Sequence, residues 1–263
     1  MISCKELSFH YQQQHVLNNI EFTANANQLL GIVGPNGCGK STLLKLMAGH
    51  LSPHSGHIET EQGDLSTCHR REKAKQVAYL PQYPLAPKGL TVEQLLRFGR
   101  HPHQTWFQQW QKQDSQILED IIERLHLSPL LKKDIALLSG GQRQKAWLGM
   151  TLAQDTPVIL LDEPTSALDI GHQVDVMESI SHISRLGKTV VLVIHDLAMA
   201  ARYCDRILAI HSGSIKACGE ARTVISAQLV HDLYGTHVDI LAAPQDQSPV
   251  IVPRRKSLSL TSL

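Results

Sequence analysis

Glycines at positions 34, 37 and 39 run straight into Lys40 and Ser41, and that spacing suits a polyphosphate. In Gly34-Pro35-Asn36-Gly37-Cys38-Gly39-Lys40-Ser41, with Thr42 behind it, the glycines let backbone N–H groups close around phosphate oxygens without a Cβ in the way. Lys40 is expected to reach the β- and γ-phosphates, and the Ser41 hydroxyl to hold Mg²⁺. A second group of chemical side chains lies far along the chain. There an apolar run from Val158 ends in Asp162, with Glu163 directly after it. Asp162 at a strand's carboxyl end would reach Mg²⁺ through water or through Ser41. Glu163 sits where a carboxylate can orient or deprotonate an attacking water. Acids that merely cap the next helix would account for one of the two, not both. A third stretch, Leu138-Ser139-Gly140-Gly141-Gln142, opens a helical pattern and forms a second anion-binding cradle.

The elements around these residues are set by apolar periodicity. Leu29–Val33 reads as a buried parallel strand, and Thr42–Ala48 as a helix stopped by Gly49. Strand, glycine loop and helix in succession are the context that the loop requires. Upstream, Ile2–Phe9 and Val16–Thr23 read as strands joined by the polar stretch His10–His15, with Tyr11 available to stack on a base. His57-Ile58-Glu59 begins an expected edge strand, and Val77–Leu80 is a short strand ended by Pro81-Gln82. From about Gly89 to Ala153 the pattern turns helical. Thr91-Val92-Glu93-Gln94 is a capping box, and Ile117, Leu118, Ile121, Ile122 and Leu125 form one apolar stripe.

The strand–helix alternation then resumes. Val158–Asp162 is a strand, Gln173–Ser184 a helix, Thr189–Ile194 a strand, a short helix starts near Asp196, Ile207–Ile210 is a strand, and Thr223–Tyr234 a helix. The fold class is α/β, with a mostly parallel sheet, an N-terminal β part and a helical insertion. One domain is expected over residues 1–243: a core of about 1–86 and 154–243 with the helical part at about 87–153. Residues 244–263, rich in Pro, Ser and Gln and carrying Arg254-Arg255-Lys256, are expected to be a loosely held tail.

Bulk composition excludes several classes. A formal charge of +1 gives no reason to expect nucleic acid binding. Apolar runs such as Val190–Ile194 are far short of a membrane span, and the first residues lack a basic start followed by an apolar block. Five scattered cysteines without C-x-x-C spacing suit reduced thiols, so a soluble intracellular protein is expected.

Leu-Ser-Gly-Gly-Gln resembles the signature of ATP-binding cassette ATPases, and the resemblance runs from end to end of the chain. It implies a P-loop nucleotide-binding domain with a RecA-like core, using ATP and Mg²⁺. Gly34–Ser41 resembles the family's Walker A loop and Val158–Asp162 its Walker B strand. Glu163 then takes the place of the catalytic glutamate. Gln82 takes that of the Q-loop glutamine, which touches Mg²⁺ and the attacking water. Ser166-Ala167-Leu168-Asp169 matches the D-loop, His195 the switch histidine, and Tyr11 the aromatic residue that stacks on adenine. Cys38 departs from the commoner Ser or Ala; a helix N-terminus lowers a thiol's pKa, so thiol sensitivity is expected. Two cradles and one hydrolytic strand imply a head-to-tail pair, each copy closing the other's nucleotide with Ser139, Gly140, Gly141 and Gln142.

Three readings compete: a membrane importer's energy-supplying subunit, a soluble cassette ATPase such as the iron–sulfur-assembly type, and a P-loop kinase. The second cradle and Glu163 count against the kinase. The single cassette with a compact insertion counts against most soluble types. Gly99-Arg100-His101-Pro102-His103 and Leu138–Trp147 are similar to the ferric-siderophore, haem and cobalamin importers, while the runs Ala167–Val176 and His195–Asp205 resemble the ferric hydroxamate ATPase. The resemblance implies integral permease subunits as partners, an extracytoplasmic siderophore-binding protein acting indirectly, a second copy of the chain, and a peripheral place on the cytoplasmic face of the inner membrane. It implies no direct contact with the iron chelate. The histidine pairs 101/103 and 54/57 lack the carboxylates that an iron site would need.

Overall fold

A computed structural model describes residues 1–104, 110–166 and 168–255. Ala167 of the 166–169 motif and residues 256–263, with Lys256, lie outside the described residues. The chain opens with strands β1 (Ile2–Tyr11) and β2 (Gln14–Ala24), paired so that Tyr11 faces Gln14 across a two-residue turn. The polar stretch expected as a connector is therefore mostly strand, and Gln12 takes the left-handed conformation at the turn. Strand β3 (Gln28–Val33) leads into the glycine loop and helix α1 (Lys40–Met47). Strands β4 (Ser55–Thr60) and β5 (Gly63–Asp64) complete an antiparallel sheet in the order β2-β1-β4-β5. The strand begun at His57 thus lies inside the sheet, with the two-residue β5 outside it.

Helix α2 (Arg70–Gln76) precedes strand β6 (Val77–Leu80). The helical insertion holds α3 (Val92–Gly99), α4 (Lys112–Arg124) and α5 (Gly140–Ala153). Thr91 caps α3 through the expected capping box, and the α4 stripe buries Leu118 and Ile121. The start of α3 is tied to the stretch before α5, where Val92 N–H donates to Lys133 O at 3.1 Å and Ile135 N–H donates to Leu90 O at 3.0 Å. An ion pair locks its interior: Arg100 Nε donates to Asp114 Oδ1 at 2.7 Å, and the same guanidinium donates to Ala153 O at 2.9 Å.

The remaining elements are β7 (Val158–Asp162), α6 (Ile170–Arg185), β8 (Thr189–Val193), α7 (Leu197–Tyr203), β9 (Arg206–His211) and β10 (Ser214–Glu220). Helices α8 (Ala221–Val224) and α9 (Ala227–Tyr234) then follow. The main sheet has the order β10-β9-β3-β8-β7-β6 and is parallel except for β10. Its central strands are apolar on both faces, as a sheet covered on both sides demands: β7 and β8 are buried at every residue. One face packs against α1 and the antiparallel sheet, the other against the helical insertion and α6.

Two expectations need correction. The helix foreseen over Thr223–Tyr234 is split, because Ser226 caps a new helix by accepting from Leu229 N–H. The loose tail foreseen from Pro244 instead holds strand β12 (Pro249–Pro253), paired in register with β11 (Val238–Ala242). Val250-Ile251-Val252 is β-branched throughout, which favours a pleated strand. Arg254 closes the hairpin on Asp239.

Candidate nucleotide site

Four neighbouring strands of the main sheet deliver the predicted residues at their carboxyl ends. Strand β3 leads to Gly34–Ser41, β8 to His195, β7 to Asp162 and Glu163, and β6 to Gln82. A crevice at the carboxyl ends of parallel strands is where open α/β sheets bind ligands. Here it is a cavity of about 540 Å³, lined by Tyr11, Asn36, Gly37, Gly39, Lys40, Ser41, Thr42, Gln82, Glu163 and His195 together with Gln14 and Val16.

The loop needs its glycines for two separate reasons. Gly34 has φ 148°, and a Cβ there would sit 2.0 Å from Ile210 O. Gly39 has φ 105°, and a Cβ would press within 2.7 Å of Leu17 on β2. Gly39 is also the N-cap of α1 and supplies no side-chain cap, so the first-turn amides have no side-chain acceptor. Those amides and the helix dipole favour an anion there. Lys40 is only 5% exposed, and its ammonium donates to Gly34 O and Pro35 O, both at 2.8 Å.

Ser41 Oγ donates to Asp162 Oδ1 at 3.0 Å, and Tyr79 donates its hydroxyl proton to Asp162 Oδ2 at 3.3 Å. Asp162 is buried, and burial pushes its carboxyl above the ordinary value despite the Ser41 and Tyr79 bonds. A buried carboxylate beside a hydroxyl is a hard-oxygen donor set that fits Mg²⁺. Burial and the neighbouring Asp162 likewise raise the Tyr79 phenol.

Glu163 takes φ 51°, and its N–H donates to Val193 O at 3.2 Å. That left-handed turn swings its carboxylate out of the strand's alternation and into the cavity. There Gln82 Nε2 donates to Oε2, and His195 Nε2 meets Oε1. Both oxygens are thereby held, in the cavity that the glycine loop also lines.

The predicted residues are not all in one place. Ser139, Gly140, Gly141 and Gln142 are not among the residues lining this cavity. Ser139 Oγ accepts from Gln142 N–H at 3.3 Å and Gln142 Oε1 accepts from Ser139 N–H at 3.3 Å, a capping box that opens α5. Cys38 turns inward and is 5% exposed; burial pushes its thiol up, outweighing the pull of Lys40 and of nearby backbone N–H groups. The expected thiol sensitivity at Cys38 is therefore corrected. Sequence reasoning missed Gln14, Val16 and Tyr79. The first is the cross-strand partner of Tyr11, a signal that the hairpin register would have provided. A larger groove of about 820 Å³ lies at the opposite, amino end of the strands, where arginines 185, 202, 206 and 222 are balanced by as many carboxylates.

Glycine loop, paired acids and parallel strand order define a P-loop nucleotide-binding protein. The family model described as ABC transporter matches residues 17–166, and the chain belongs to that family as an ATP-binding subunit. It is similar to the petrobactin import ATP-binding protein FpuD of Bacillus anthracis, with 38% identity over 97% of this chain and 94% of that one. It is also similar to the iron(3+)-hydroxamate import ATP-binding protein FhuC of Bacillus subtilis, with 33% identity over 95% and 93%. Among solved structures, a metal-chelate type ABC transporter in an inward-facing conformation aligns with a TM-score of 0.85 and 28% identity over 98% of both chains.

Proposed function

We propose that this chain is the ATP-hydrolysing subunit of a membrane importer for iron(III)-siderophore chelates, with hydroxamates as the candidate cargo class. The observation that carries the catalytic part is Glu163, held between Gln82 and His195 in the cavity that the glycine loop also lines. Similarity to the petrobactin import protein FpuD supports a siderophore cargo, and similarity to the hydroxamate import protein FhuC supports the hydroxamate class, with haem and cobalamin as the alternative cargoes.

In this reading Tyr11 stacks on adenine, and Lys40 with the first-turn amides of α1 holds the phosphates. Ser41, Asp162 and Gln82 would hold Mg²⁺, which when bound would supply charge neutralisation. Glu163 takes the proton of the attacking water, and His195 keeps its carboxylate aimed. A second copy donates Ser139, Gly140 and Gly141. The Ser139 hydroxyl fits this role because it accepts from Gln142 N–H and keeps its own proton free to donate. ATP bound at the seam contacts both copies, so it favours the closed pair.

The helical unit 87–153 and the residues after Gln82 are the docking face for a permease. Tyr83, Leu85 and Phe98 present exposed apolar side chains there, and no helix among the described residues is long and apolar enough to cross a membrane. The protein then works peripherally at the cytoplasmic face of the inner membrane, and a siderophore-binding protein on the other side acts on it only through the permease. Two experiments test the proposal. Purified chain should release phosphate from Mg-ATP, and a deletion strain should lose growth on one class of iron source and keep it on others. Unchanged growth on every iron chelate would remove the cargo assignment.

A further inference from the structure

One contact couples two motifs that the hydrolytic site does not itself contain. Asp169 caps α6 with a single oxygen: Oδ1 accepts His172 N–H at 2.9 Å and meets His172 Nδ1 at 2.8 Å. The His172 imidazole is thereby fixed in orientation and laid against the start of α5. There Gly141 leaves it room, since a Cβ on Gly141 would lie 2.3 Å from His172 Cδ2 and 2.7 Å from its Cγ. One turn further along both helices, Lys145 Nζ pairs with Asp175 Oδ2 at 3.0 Å. The ring is thus a spacer between Asp169, at the start of α6, and the Ser139–Gln142 cradle, tied to one by a hydrogen bond and touching the other's backbone. Nothing in the chemistry of the cavity itself requires an imidazole at this place.

We propose that His172 is a positioning residue that sets the spacing between the second phosphate cradle and Asp169 at the start of α6, so that both meet a partner copy as one rigid face. This inference rests on the shared-site reading above. A rigid face loses less conformational freedom on association, so its effect is on closure of the pair and not on binding of nucleotide to the chain's own glycine loop.

The test uses the full chain in a Glu163→Gln background, where ATP should accumulate a closed pair readable by size-exclusion chromatography with light scattering. His172→Ala should raise the ATP concentration for half-maximal pairing by about tenfold, the cost of ordering on association about one side chain's worth of freedom that the imidazole otherwise removes. Binding of a fluorescent ATP analogue to the single chain, and Tm, should stay as in the parent. His172→Leu restores bulk but not the bond and should fall between. Gly141→Ala should impair pairing, and adding His172→Ala to it should recover part of the loss, because the added methyl then has space. Identical half-points for the parent and His172→Ala would overturn the inference, as would a parallel fall in Tm and in single-chain binding. Absence of ATP-dependent pairing in the parent itself would instead sink the shared-site reading, and this inference with it.

Discussion

Replacing Glu163 with glutamine changes one atom of a side chain that is held at both ends. The amide keeps an oxygen for Gln82 Nε2, and φ 51° costs glutamine what it costs glutamate, so neither packing nor backbone strain changes. What disappears is the basic oxygen to which the proposed mechanism assigns the proton of water. A positioned general base is worth about 10²–10⁴ in rate, or about 3–5 kcal/mol of activation free energy. Steady-state phosphate release from Mg-ATP should fall by that factor. Affinity for a fluorescent ATP analogue should change less than about threefold, since Lys40 and the α1 amides are untouched. Tm should be unaltered. Turnover within about threefold of the unsubstituted chain would refute the catalytic role and leave Glu163 as a bridge between Gln82 and His195.

Lys40→Ala removes an ammonium with two hydrogen bonds to its own loop, and should weaken ATP binding by about 10–100-fold in an equilibrium titration. Among the cysteines, exposed Cys218 should react first with a maleimide and buried Cys38 among the slowest, with ATPase activity surviving the first labelling; early loss of activity mapped to Cys38 by peptide mass would contradict the burial argument. Arg100→Met should cost about 3 kcal/mol in denaturant unfolding by stranding a buried carboxylate, and adding Asp114→Leu should recover most of it. Burial pushes Asp114 up, but the Gln111 N–H and the Arg100 guanidinium outweigh it and hold the carboxyl below its usual range. Its contribution is therefore present above the unfolded value of about 3.9 and is lost as pH falls through the lower folded value, a loss that the double variant should not show.

The sequence carried the site's parts better than their poses. Gly34–Ser41, Asp162 and Glu163 were legible because each follows an apolar run that marks a strand end, whereas Gln82 and His195 were picked out only by the resemblance to the cassette family. Helix α2 was invisible for the opposite reason: Arg70–Gln76 buries only Gln76, so no stripe betrays it. Strand β10 also lacks an apolar run, although Ser212-Gly213, both with positive φ, is hairpin-turn chemistry that could have announced it. The left-handed turn at Glu163, the inward side chain of Cys38 and the Tyr79 bond to Asp162 depend on tertiary neighbours. No local pattern contains them.

The resting place of Lys40 bears on how a spent nucleotide departs. With its ammonium seated on Gly34 O and Pro35 O, a triphosphate bound as proposed would exchange those two partners for its own oxygens and gain only the difference. When the terminal phosphate goes, the same carbonyls are waiting to take the cation back. In the proposed role arrival and departure are both exchanges, so the Lys40 charge keeps a partner at each stage.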